Sequence, residues 1–268
     1  MPLIETQQPG TVGYHRIHAS TSSSVDPSEH LEQYHIRGPW HTGIRLDGAW
    51  NATITDPFIN GPLGDEAEYA NPQQMQVGID LVGAMDCHVS RPRITCANVG
   101  IRASTHPNGF PRCEGLHIDR GWLMHVNTGI ELHGSPLGGW PTPWTTVTKP
   151  HIAFNQFAVR ATNIAWLHLD GINCYGSHYS TGKWSIYLVG CKQVQITNCD
   201  FWTNWAGPGF FGGIVLDQCE DVEITGGSFV SSISLALHAT ASCRNVRTNG
   251  KVWDQLAAAG KVANYASA

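Results

Sequence analysis

Asp80 and Glu131 are the two carboxylates whose surroundings and spacing suit bond-breaking chemistry. Each is third in a tetrapeptide of one form, Gly78-Ile79-Asp80-Leu81 and Gly129-Ile130-Glu131-Leu132, and a further copy, Gly100-Ile101-Arg102-Ala103, lies between them. If the three copies stack as neighbouring strands, the carboxylates are two strand spacings apart, ~9.6 Å. Inverting glycosidases hold an acid and a base ~6.5 to 9.5 Å apart around a water, whereas retaining ones need ~5 to 5.5 Å, so the pair suits inversion. Arg102 between them would hold both groups ionised and leave the pair without its acid. Asp65, Glu66 and Glu68 are carried on an insertion beside the same copies and are placed to supply an acid from above.

Binding residues follow from the same repeats. The third position of successive copies reads Arg45, Asp80, Arg102, Glu131, Arg160, Tyr187, Val215 and Ala236, a ladder of mostly alternating charge if the strands stack in register. Arg102 and Arg160 are its candidate ligand contacts. The insertions around this ladder are rich in rings: Trp140 and Trp144 on one side, and Tyr175, Tyr179, Trp184, Trp202, Trp205, Phe210 and Phe211 on the other. Aromatic side chains on loops with no core to fill suit a binding surface, and flat rings edged with polar groups suit the faces of sugars. His88 and His117, neighbours on the second strand of the repeat, could bind a metal or move protons. With no carboxylate at ligand spacing they read as a solvated strand face, so no metal and no cofactor is expected.

The element that positions these residues is a coil of three short strands. Its clearest copy is Gly213 to Phe229, where Ile214 with Leu216, Val222 with Ile224, and Phe229 are separated by turn residues. The first block recurs from Gly43-Ile44-Arg45-Leu46 to Ser234-Leu235-Ala236-Leu237. The second recurs from Ala52/Ile54 to Val246/Thr248, with an earlier copy at Tyr34/Ile36. Five residues after each second block comes Ile59, Ile94, Leu123, Ile152, Cys174, Phe201, Phe229 or Trp253. Within the blocks apolar and polar residues alternate, the period of a strand with one face buried. Self-similarity at this period is the mark of a solenoid, and three one-sided strands per coil close only as coils stacked around a shared interior. All five long insertions, about 60 to 76, 104 to 112, 133 to 144, 175 to 184 and 202 to 212, border the first strand of a coil.

The coil pattern resembles the single-stranded right-handed parallel β-helix of the pectate lyase-like superfamily, and phage tailspike proteins within it. The resemblance covers roughly residues 34 to 253 and about nine coils with loop insertions, an all-β fold. It implies a homotrimeric virion appendage, assembled with other virion proteins after synthesis in the host cytoplasm. Such a protein recognises a bacterial surface polysaccharide along its side and, in its enzymatic members, depolymerises it. Two alternatives carry the same fold: a free-standing polysaccharide lyase, hydrolase or epimerase, and a structural virion protein that binds no glycan. The hydrolase motifs Asn-Thr-Asp, Asp-Asp, Gly-His-Gly and Arg-Ile-Lys do not occur, which leaves any catalytic role to scattered carboxylates.

Composition narrows the partners. Charged residues are 14% of the 268, and the formal net charge of -5 gives no basic footprint for nucleic acid. No apolar run approaches the ~18 residues of a membrane span, and the first ten residues have neither the basic nor the apolar region of a signal peptide. The eight cysteines lack a CxxC pair, and Cys87, Cys174, Cys191, Cys219 and Cys243 fall at core offsets, so they read as reduced core residues. Residues 1–33 are expected to be a connector or cap with a short helix from Ser28, and residues 254–268 a C-terminal cap or tail.

Overall fold

A computed structural model describes residues 16–18, 30–32, 35–37, 41–61, 75–107, 113–135, 142–176, 183–203, 211–230 and 233–264. Every strand pairing is parallel, and each strand pairs with its counterpart in the coils before and after. The second strands form a nine-stranded sheet, His30–Glu32 to Arg244–Asn249, which makes nine coils among the described residues. The first strands form a ten-member path from Arg16–His18 to Val262–Asn264. The third strands are joined to it where Trp122–His133 and His151–Thr162 run through the corner unbroken. This is an all-β, single-stranded parallel β-helix, and parallel crossovers of this kind take the right-handed sense.

The core is a set of columns, one residue per coil. Ile44, Ile79, Ile101, Ile130, Val159, Ile186, Ile214 and Leu237 are successive partners on the first sheet, and all are buried. Ile54, Val89, Ile118, Val147, Leu169, Ile196 and Ile224 do the same on the second. Each such side chain contributes roughly 1.5–3 kcal/mol by leaving water. The small residue that opens each first block has a steric reason. A Cβ on Gly100 would stand 2.6 Å from the Gly129 carbonyl oxygen, and one on Gly129 the same distance from that of Ala158.

Four expectations change at the ends and edges. Ile36 pairs with Ile59 in the third sheet, and the second-block copy is Leu31, which pairs with Ile54. Strand pairing therefore reaches into residues 1–33, where Arg16–His18 meets Arg45–Asp47 and His30–Glu32 replaces the expected helix. The last first-sheet strand is shifted by two: Ile214 pairs with Leu237 and Val215 with His238, so His238 and not Ala236 is the outward residue. Finally, Trp253 lies in a helix, Lys251–Ala258, and seats its ring edge-on against Phe229 at 4.9 Å while its indole N–H donates to the Gly226 carbonyl at 3.0 Å. That helix covers the last third-sheet strand, and Val262–Asn264 returns to pair with Leu237–Ala239.

The eight cysteines are free and buried. Burial pushes the Cys113 and Cys199 thiols up to about 12, as an apolar interior does to any group that would have to ionise there.

Candidate functional site

The first-strand ladder forms in the expected register: Arg45 beside Asp80, Asp80 beside Arg102, Arg102 beside Glu131, Glu131 beside Arg160, and Arg160 beside Tyr187. What the register does with the charges differs from an open groove floor. Asp80 is wholly buried. Arg102 grips both its oxygens, Nε on Oδ1 and Nη2 on Oδ2, each at 2.9 Å, and Arg45 adds Nη1 on Oδ2 at 3.1 Å. A carboxylate so engaged has no oxygen turned toward a ligand. Asp80 is therefore a structural counter-ion, and Arg102 is committed to it.

Glu131 accepts from His133 at 3.3 Å and meets Arg160 at 3.6 Å. The hydrogen bond from His133 is the main cause that holds its carboxyl below the usual range, with the charges of His133, Arg160 and Arg102 adding to it against the opposing effect of burial. An ionised Glu131 can act as a base and cannot act as the acid. Arg160 lies over the Phe157 ring at 5.8 Å, and Phe157 in turn stacks on Tyr187. The face carries two sets of paired charges, Arg45 and Arg102 on Asp80 and Arg160 on Glu131, and leaves the buried Arg160 Nε without a hydrogen-bond partner.

Asp65, Glu66, Glu68, Trp140, Tyr179 and Trp205, together with Phe210, lie outside the described residues. Trp184 sits in the first-strand sheet, where its ring tilts against His238 and lies over Gly212, at which any side chain would collide with it. Trp144 does not wall the first-strand face. It belongs to Thr142–Thr148 of the second sheet, where its ring stacks on Trp166 at 5.6 Å.

Tyr175 and Trp202 belong to the third-strand sheet, in Asn173–Gly176 and Asp200–Thr203. Here the geometry gathers a site that the insertions had drawn attention away from. Trp122, His151, Tyr175 and Trp202 come from four consecutive coils, and their rings follow one another with centroid distances of 5.1, 6.4 and 6.0 Å. The track spans three strand spacings, ~14 Å, along the solenoid axis and shifts by two residues along the strand between His151 and Tyr175. Trp122 and Trp202 at its ends are 55% and 52% exposed. Burial lowers the His151 pKa, so near neutral pH its ring is an uncharged member of the series.

Beside the track lies a concavity of about 390 Å³ lined by His151, Asn173, Tyr175, Asp200, Trp202 and Ser228. Asn173, Asp200 and Ser228 continue the outward column of Trp122 and His151, beside the column of Tyr175 and Trp202, and the Ser228 hydroxyl donates to Asp200 Oδ1 at 2.6 Å. Flat apolar faces beside a carboxylate, an amide and a hydroxyl can take a ligand that is itself flat-sided and hydroxylated. The signal was present in the sequence. Trp122, His151, Tyr175 and Trp202 each adjoin a core residue of the third column, Leu123, Ile152, Cys174 or Phe201, so strand alternation turns them outward.

Two further groups of side chains lie on the second-strand sheet. His88 and His117 are partners, with rings edge-to-face at 6.2 Å, and no cluster of metal-ligating residues occurs among the described residues. The polar column Ser90, Asp119, Thr148, Asp170, Thr197, which ends the second strands, bonds along itself. Asp119 accepts from Ser90 and Thr148, and Asp170 from Thr197 at 2.6 Å.

No family model matches the chain, and no curated protein matches it. Among solved structures it is similar to the catalytic domain of a GH87 alpha-1,3-glucanase at 10% identity, covering 94% of this chain and 70% of the other, with a TM-score of 0.35. It is likewise similar to the A-module of the mannuronan C-5 epimerase AlgE4 of Azotobacter vinelandii at 10% identity, covering 94% and 85%, with a TM-score of 0.35.

Proposed function

We propose that this chain is a glycan-recognition β-helix that holds a bacterial surface polysaccharide along its third-strand face. The observation that carries the reading is the run of Trp122, His151, Tyr175 and Trp202 beside a concavity bearing Asn173, Asp200 and Ser228. An extended glycan along the solenoid axis meets one ring per coil through its C–H faces and offers hydroxyls to the polar column. The wider setting that fits is the virion appendage of tailspike type, a homotrimer joined to other virion proteins, for which this face would be the receptor-binding side.

Binding without cleavage is the form of the proposal. Glycoside hydrolysis needs an acid and a base across the bond. Among the described residues Asp80 is enclosed by two arginines, Glu131 is ionised, and the concavity is lined by a single carboxylate, Asp200.

The test is binding of purified capsular and O-antigen polysaccharides, with product size followed by chromatography. Trp202→Ala removes a ring at the scale of an interface hot spot, ~2 kcal/mol, and is expected to weaken binding roughly thirtyfold while product size stays constant for both proteins. Shortened chains would overturn the non-cleaving form. Unchanged affinity in Trp202→Ala would overturn the site.

A further inference from the structure

On the second-strand sheet two tryptophans stand where the backbone disfavours them. The corner into the second strands from Thr53–Thr55 onward is turned by one residue of positive φ, and the column reads Asn51, Asp86, Gly115, Trp144, Trp166, Gln193, Asp221, Asn245. Glycine, asparagine and aspartate tolerate that conformation through a missing or short polar side chain. A bulky residue with positive φ is an outlier, yet Trp144 has φ 56° and Trp166 φ 49°. Burial does not account for them, because the two are 60% and 42% exposed. Gln193 in the same column, and Arg91, Arg120 and Lys149 at the corner after the second strand, share the conformation, so the coil corner imposes it, and it is the exposure of the two rings that marks this position.

The surroundings complete a site. The rings of Trp144 and Trp166 are near-parallel, at 28°. One coil before Trp144 the column holds Gly115, and the space its side chain would fill is taken by the Asp86 carboxylate. The Trp50 indole N–H donates to Asp86 Oδ2 at 3.1 Å and so orients that carboxylate. The Asp86 carboxylate thus sits over Gly115, in the coil next to Trp144, and no side chain of the column stands between it and the exposed indole.

We propose that Trp144, Trp166 and Asp86 form a second carbohydrate subsite that takes an uncharged pyranose ring. The ring's C–H face lies on an indole and its hydroxyls donate to Asp86. An acidic sugar is disfavoured, because the carboxylate would face it directly. The subsite shares no residue with the third-strand track and stands or falls separately.

The experiment uses the full chain and an array of purified uncharged capsular and O-antigen polysaccharides, with Trp144→Asn, Asp86→Asn and Trp202→Ala compared to the wild type. Asparagine suits the left-handed corner, so relief of strain offsets the lost ring contact. Trp144→Asn is expected to lose at least about tenfold in affinity with Tm unchanged or raised, and Asp86→Asn to lose affinity in the same direction. A Tm several degrees lower in Trp144→Asn would mark the pair as packing and overturn the proposal. So would affinity that Trp144→Asn leaves unchanged, or a wild type that binds no uncharged polysaccharide on the array.

Discussion

Replacing Asp80 by asparagine separates a structural counter-ion from a ligand-facing acid. The carboxylate is wholly buried and accepts three hydrogen bonds, two from Arg102 and one from Arg45. Asparagine keeps the shape but removes the charge and turns an N–H toward a guanidinium N–H. Breaking a buried ion pair by removing one partner costs roughly 3–5 kcal/mol. The arginine side chains are 28% and 33% exposed, so water relieves part of their unpaired charge and the lower end, about 3 kcal/mol, applies. At roughly 2–4 °C per kcal/mol for a chain of this size, Tm falls by about 6–12 °C. Thermal unfolding followed by circular dichroism reads this directly. The triple variant Asp80→Leu, Arg45→Met, Arg102→Met, which removes the buried acid with both its guanidinium partners and leaves Asp47 beside His106, is expected to recover most of the loss. A Tm within about 1 °C of the wild type, together with lost glycan affinity, would refute the reasoning and return Asp80 to the ligand.

Two further outcomes follow from packing and titration. Gly129→Ala drives a methyl group against Ile152 and to 2.6 Å from the Ala158 carbonyl oxygen; overpacking of this kind costs about 1–3 kcal/mol, read as a lower urea midpoint. Glu131 has its folded pKa held below the ordinary 4.5, so its contribution to stability is present above that value and is lost as pH falls through the folded value. Glu131→Gln should therefore flatten the acid limb of stability against pH, in urea titrations made on both sides of 4.5, and an unchanged limb would place the acid-sensitive group elsewhere.

The coil was legible because its signal is alternation repeated at a fixed offset. Ile79, Ile101 and Ile130 name their own partners, and so do Val89, Ile118 and Val147. Where the offset is blurred the reading slipped. Ser234 and Ala236 are both small, so either can open the last first-sheet strand, and the choice depends on Ala236 lying over Gly213, where a Cβ on the glycine would stand 2.4 Å from the Ala236 carbonyl oxygen. Ile36 sits between turn residues as a second-block residue does, but pairing with Ile59 places it in the third sheet. The fate of Asp80 was not legible. Its place in the outward ladder says that arginines are neighbours, whereas its complete burial depends on how those side chains fold over it. Nor do the residue types of Trp144, Trp166 and Gln193 announce positive φ, as the asparagine, aspartate and glycine at the same corner do.

The same stacking explains why aromatic faces, rather than the charged one, are left for a ligand. In a parallel solenoid each outward side chain has its nearest neighbours ~4.8 Å away in the coils on either side. A column that alternates sign therefore pairs with itself. Arg45, Asp80 and Arg102 do this, as do Glu131 and Arg160, and an incoming ligand would have to displace those partners to be bound. A track of rings has no such closure. Tyr175 and Trp202 lie 6.0 Å apart, and half of Trp202 stays in water although its neighbours are already in contact with it. Affinity along an extended polymer then grows by one ring for each coil that the polymer spans. The number of consecutive coils bearing an outward ring, four on the third-strand face from Trp122 to Trp202, sets the length of glycan this solenoid can grip.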